Sequence, residues 1–137
     1  MENKLSQFIF DKIGVSDYKK YLDLSSLRHK LISGNVANVT TPGYEARDID
    51  FQKEFNRATA RTNELPGTIT NSRHIPLGQH KDRAPKVNET KIQGDDMNSV
   101  NIDQEASNMA QNELLYTIGA RLLQRKFDAL QKAINSK

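Results

Sequence analysis

Few side chains in this 137-residue sequence stand at spacings that do covalent or metal chemistry. Cysteine is absent, which excludes disulfides, thiolate ligands and thiol nucleophiles. The histidines His29, His74 and His80 never fall at i and i+4 of one helix, where two imidazoles share a zinc ion. Asp48-Ile49-Asp50 sets two carboxylates side by side in sequence, but the other ligands of a calcium loop are missing. Surface charge or turn capping is the expected role. Ser25, Ser26 and Ser33 have no partnered base at a recognisable spacing, and neither a glycine-rich phosphate cradle nor a nucleophile elbow is present. Neither catalysis nor a cofactor is expected. The chemistry that remains is hydrogen bonding. Asn35 and Asn38 stand just ahead of the Pro42-Gly43 turn, where amides can bond a backbone leaving a helix or reach a neighbouring subunit.

The elements that must position these residues are two helices. Residues 15–38 read as the first. Lys19, Asp23, Ser26, Lys30 and Ser33 step by four and three as one wet strip, while Tyr18, Tyr21, Leu22, Leu24, Leu27, Leu31, Ile32 and Val36 cover most of the rest. A cylinder so widely apolar calls for partners on several sides, and the shortage of other strong helices points outside the chain. Pro42-Gly43 then marks a tight reversal, with Pro fixing φ and Gly supplying a positive φ. Beyond it, Ile49, Phe51 and Phe55 anchor either an extended stretch or a short helix.

The second helix carries a ladder at alternating spacings of four and three: Ile102, Ala106, Met109, Glu113, Tyr116, Ala120, Leu123, Phe127, Leu130 and Ile134. At 1.5 Å per residue this seam runs for roughly 50 Å. Glu113 either fixes its register or sits at a wet gap. A second apolar stripe, Leu115, Ile118, Leu122, Ala129 and Ala133, lies on another side, so one partner helix cannot cover both. Asn101 with Gln104 three residues on makes a capping-box-like start.

Between the helices, residues 57–97 hold Pro66, Pro76 and Pro85 with few large apolar residues, and a small β-rich or irregular insertion is expected there. Thr68-Ile69-Thr70 and the Ile75–Leu77 stretch hint at short strands. The predicted fold is mainly α. The long N- and C-terminal helices pair as a coiled-coil core built from residues 1–56 and 98–137, with residues 57–97 as a middle insertion.

Composition narrows the function classes. Only 36% of residues are apolar, which predicts a small core. The net charge of +3 comes from 20 basic and 17 acidic residues that are interleaved, without a basic run, so no nucleic-acid partner is expected. No stretch of about 18 apolar residues exists to insert in a membrane. Residues 1–13 lack the basic start and long apolar core of a cleavable secretory signal.

The stretch Leu31-Ile32-Ser33-Gly34-Asn35-Val36-Ala37-Asn38-Val39-Thr40-Thr41-Pro42-Gly43-Tyr44 closely resembles the S-x-N-I-A-N-x-x-T-P-G-Y signature of the bacterial flagellar rod and hook proteins. Glu45-Ala46-Arg47-Asp48-Ile49-Asp50-Phe51 is similar to the proximal-rod form of that family. Thr70 to Ile75 resembles its T-x-x-x-H segment, and Val100 to Glu105 its V-D-L-D-x-E helix start. Gly34, Val36 and Asn101 depart mildly from the pattern. The resemblance implies a structural rod subunit of the basal body, with Asn35, Ala37, Asn38, Thr41, Pro42, Gly43 and Tyr44 as a subunit-contact element. It also implies assembly with further copies of itself, with FlgC, with the FliE adaptor and with the FliF membrane ring. Export through the flagellar type III apparatus to the periplasmic rod, without signal cleavage, is implied as well. Phe8, Ile9 and Phe10 are then a candidate contact with the export gate, or the packing face of a short first helix. A soluble coiled-coil adaptor or secretion chaperone is the alternative the residues alone leave open.

Overall fold

The computed structural model describes residues 14–60, 84–92 and 97–135. The expectations for Phe8, Ile9 and Phe10, for His74 and His80, and for the strand hints near residues 68–70 and 75–77 lie outside the described residues. Helix α1 spans Val15–Ala37, strand β1 Ala46–Ile49, helix α2 Phe51–Thr59, strand β2 Val87–Thr90 and helix α3 Ile102–Asn135. The chain is mainly helical, with the long N-terminal and C-terminal helices packed together as expected.

Each helix begins for a local reason. Asp50, one of the paired carboxylates, caps α2 by accepting from the Lys53 N–H at 3.1 Å. Asn101 caps α3, its Oδ1 accepting from Gln104 N–H at 3.1 Å. The box is only half formed, because the Gln104 amide turns forward to Asn108 at 3.2 Å. α1 opens from Gly14 at φ +76, a left-handed conformation that glycine adopts without strain.

α1 and α3 run antiparallel. Asn112 donates to the Ser25 carbonyl at 3.0 Å, and farther along α3 the ring of Tyr21 lies over Gly119. A Cβ on Gly119 would sit 2.9 Å from two ring atoms, so the glycine within this helix is what lets the ring approach. On the other side of Tyr21 stand Phe51 and Phe55 of α2, edge-on with centroids at 5.1 and 5.6 Å. Strands β1 and β2 pair antiparallel, with Ala46 opposite Thr90 and Ile49 opposite Val87. Leu24, Ile32, Ala46 and Ile49 form the buried apolar core, a small one as the composition implies.

Two expectations about faces need correcting. The buried line of α3 is Glu105, Asn112 and Gly119, one residue per heptad, and none belongs to the ten-residue ladder. This line runs between the two apolar stripes. Met109, Ala120, Leu123 and Leu130 of the ladder reach half burial, while Ile102, Tyr116, Phe127 and Ile134 remain exposed. The reason is close approach: a glycine and an amide bring the two backbones together, and the larger apolar residues flank the contact. The apolar excess of α1, read as needing outside partners, is instead largely covered at home. Leu24 and Ile32 are buried, and Tyr18, Tyr21, Leu22, Leu27, Leu31 and Val36 are half-buried against α2, β1 and α3.

Candidate functional site: the exit of helix α1 and the outer face of helix α3

At the end of α1 the chain must satisfy carbonyls that have no helical partner. Asn38 does this twice, with its backbone N–H bonded to the Asn35 carbonyl at 3.0 Å and its side-chain Nδ2 donating to the Gly34 carbonyl at 2.8 Å. Thr41 then bonds back to Asn38 through both its backbone N–H, 3.0 Å, and its hydroxyl, 3.2 Å. The reversal follows at Thr41-Pro42-Gly43-Tyr44. Tyr44 N–H reaches the Thr41 carbonyl at 3.3 Å and Gly43 holds φ +75, so Pro-Gly occupies the central positions of a type II turn.

Asn35 is the centre of this site. It is fully buried. Its Oδ1 accepts from the Arg47 N–H at 2.9 Å and from the Tyr44 hydroxyl at 3.2 Å, and its Nδ2 donates to the Arg47 carbonyl at 2.9 Å. One side-chain amide thus pairs both backbone groups of Arg47 on the edge of β1 facing α1, as a neighbouring strand would. This corrects the expectation that Asn35 meets a neighbouring subunit directly: every bond it makes is internal. Ala37, Thr41, Pro42 and Gly43 stand exposed around it, with Asn38 and Tyr44 half-buried.

The segment leading into α3 ties the turn down from the other side. Gly43 N–H bonds the Met97 carbonyl at 2.6 Å, and Ser99 N–H bonds the Tyr44 carbonyl at 3.2 Å. The Asn98 amide donates to the Val39 carbonyl. The Ser99 hydroxyl accepts from Ala46 N–H at 2.8 Å and donates to the Thr90 carbonyl at 2.7 Å, bridging the end of the two strands. Sequence reading missed Asn98, Ser99 and Asn112; all three are polar residues beside or within the second apolar run, and that position was the available signal. Asp48, the other paired carboxylate, takes a forked ion pair from Arg28, at 3.0 Å from Nε and 2.8 Å from Nη2.

The second part of the site is apolar. Leu114 is 62% exposed, and Leu115, Tyr116, Ile118, Leu122 and Phe127 all exceed 40%. All of them lie on α3. An open cleft of 490 Å³ adjoins this row, lined by Tyr18, Tyr21, Phe55, Ile118 and Leu122. Among the described residues no group of three or more His, Asp or Glu could hold a metal ion, and no helix is long and apolar enough to cross a membrane.

The internally bonded signature turn and the apolar helix agree with what similarity finds. A flagellar basal body rod protein FlgB of Aquifex aeolicus is 30% identical over 124 residues, covering 90% of this chain and 94% of the relative. The FlgB of Salmonella typhimurium is 34% identical over 111 residues, 74% of this chain and 78% of its own length. That of Proteus mirabilis is 37% identical over 104 residues, 69% and 74%. The chain belongs to the FlgB family of flagellar basal body rod proteins. It is a structural subunit of that rod, and its place is the flagellar basal body. No family model matches the sequence.

Proposed function

We propose that this FlgB-family chain joins the rod through the outer face of α3 and does no catalysis. The observation that carries this is the group of exposed apolar residues Leu114, Leu115, Ile118 and Leu122 on one side of α3, continuous with the apolar cleft, with Tyr116 and Phe127 exposed on the opposite flank. Contiguous apolar surface of this kind marks a contact face. Its burial, at about 25 cal/mol per Å² removed from water, can hold an assembly without covalent links. Ile102, Met109, Tyr116, Leu123, Phe127, Leu130 and Ile134 offer a second apolar contact along the other flank of the helix. The exposed signature positions Ala37, Thr41, Pro42 and Gly43 add a flank of small side chains. Contacts between subunits are head-to-tail, since a self-complementary face would close and stop growth.

Family membership supports further copies of the chain, FlgC, the FliE adaptor and the FliF ring as neighbours. It also supports delivery by the flagellar type III export apparatus to the periplasmic rod without a cleaved signal. Residues 1–56 and 98–137 act as the assembling core, and residues 57–97 as a middle region.

The test places a charge on the contact face, as Ile118→Glu, Leu122→Glu or Phe127→Glu, in the source bacterium lacking its own copy. Basal bodies are then purified and the chain is counted by mass spectrometry. Loss of the variants from basal bodies, with helix content unchanged in the purified proteins, is expected. Normal incorporation and motility of all three would overturn the reading.

A further inference from the structure

Helix α1 opens on Gly14, and no side chain at that cap bonds its first turn. With Gly14 as the N-cap, Val15 is the first helical residue and Tyr18 the fourth. In a hydrophobic staple the residue just before the cap packs on that fourth residue and fixes the angle at which the chain enters the helix. Here the residue before the cap is Ile13. Its staple partner Tyr18 is half-buried and lines the open apolar cleft, and Gly14 itself forms part of the rim. Gly14 holds φ +76, and nothing stands within 4 Å of where its Cβ would be, so the rim is open at the point where residues 1–13 join.

What precedes Gly14 fits the cleft. The densest apolar cluster there is Phe8-Ile9-Phe10, with Ile13 beyond it. Phe10 lies four residues from Gly14, an extended reach of about 13 Å, and Tyr21 stands about 10 Å along α1 from the same glycine. Tyr21 and Phe55 form a wall of the cleft and already meet edge-on, so another ring there extends an aromatic cluster. On the α3 lip Lys126 is exposed and has no ion pair among the described residues. Asp11, of opposite charge, follows Phe10 in the sequence.

We propose that the cleft is the seat of the chain's own residues 8–13: Ile13 staples onto Tyr18, and Phe10 joins Tyr21 and Phe55 on the wall made by α1 and α2. The occupant is the segment attached at the rim, because a tethered segment meets the cleft at an effective concentration that a separate peptide does not reach. Ile118 and Leu122, on the α3 side, keep their exposed surface for a neighbour, so this seat does not depend on how subunits meet in the rod.

The test uses the full chain in solution, labelled with carbon-13. Nuclear Overhauser contacts are expected from the Ile13 methyls to the Tyr18 ring, and from the Phe10 ring to Tyr21 or Phe55. Their absence would overturn the proposal. A mixture of labelled and unlabelled chains separates contacts within one chain from contacts between copies. Contacts found only between copies would overturn it as well, by making a second copy the occupant. Urea unfolding adds a coupling measurement: Ile13→Ser should lower the midpoint about three-fold more in the wild type than in a Tyr18→Ala background, where the staple partner is already gone. Equal effects in both backgrounds would contradict the staple. The Overhauser contacts are read on the wild-type chain, so they decide the proposal even where Tyr18→Ala does not fold.

Discussion

At the exit of α1, Asn35, Asn38, Tyr44 and Ser99 commit their polar atoms to their own chain, with Asn35 alone making three bonds from a fully buried position. On the outer face of α3, Leu114, Leu115, Ile118 and Leu122 leave two-fifths or more of their surface in solvent. The first region is the more distinctive in sequence and is turned inward. The second is built of ordinary Leu and Ile and is turned outward. Polar atoms need partners at fixed geometry, so a rare arrangement of them is recognisable and defines a local shape. Apolar contacts between subunits need only area and fit, which a plain stripe supplies. The residues that identify the family therefore need not be the residues that touch a neighbour.

The sharpest break in this contrast is Asn35→Ala. It strands the N–H and the carbonyl of Arg47 in a buried site, at ~1–3 kcal/mol for each unsatisfied group. A total loss of about 3 kcal/mol or more is expected in urea unfolding, and Asn35→Asp should not rescue it, because a carboxylate cannot donate to the Arg47 carbonyl. A loss below ~1 kcal/mol would mean the turn holds without its amide. Next is Gly119→Ala, which gains about 1 kcal/mol of helix propensity but drives a Cβ into the Tyr21 ring, at ~1–3 kcal/mol of overpacking. A net loss near 1 kcal/mol is expected; net stabilisation would show that the ring moves aside freely.

Leu115→Lys sharpens the contrast from the other side. The isolated chain should change by less than ~0.5 kcal/mol, since the position is exposed, while incorporation into basal bodies falls. A variant that unfolded the monomer would place Leu115 in the core instead. The smallest expected effect concerns Tyr21. Burial raises its phenol pKa above 10.0, with the Ser25 hydroxyl pulling the other way. The neutral ring is thus favoured in the folded chain. Stability is whole below the unfolded pKa and declines as pH rises through the raised folded value. Tyr21→Phe keeps the edge contacts to Phe51 and Phe55 and should flatten the decline above pH 10, as read from urea midpoints. An unchanged decline would assign it to other groups.

Much of the architecture was legible because its signals are local. The wet strip of Lys19, Asp23, Ser26 and Lys30 faces solvent. Pro42-Gly43 makes the turn its chemistry demands, and Asn101 and Asp50 cap the helices that follow them. The short helix Phe51–Thr59 settles the choice between extended and helical that the spacing of Phe51 and Phe55 left open. What local pattern did not reveal is long-range. The pairing of Ala46–Ile49 with Val87–Thr90 joins distant segments of modest strand propensity, and β2 is exposed throughout. The inner face of α3 was misread because periodicity assumes that apolar residues point inward. Gly119 and Asn112 are inside because the helices approach closely there and a carbonyl of α1 needs a donor. The subunit contact that the resemblance implied for Asn35 gives way to a local one, because burial of its amide is what completes the edge of β1.

The most direct measurement is thiol accessibility in place. The chain has no cysteine, so one introduced by Ile118→Cys or Ala37→Cys is the only thiol it carries. Each variant would be reacted with a maleimide as the purified chain and within isolated basal bodies, and the labelled fraction read by mass spectrometry. The Ile118→Cys thiol should react in the purified chain and be protected in basal bodies, by a larger factor than the Ala37→Cys thiol on the flank. Equal reactivity of the Ile118→Cys thiol in both states would contradict the claim that the outer face of α3 is where the rod is joined.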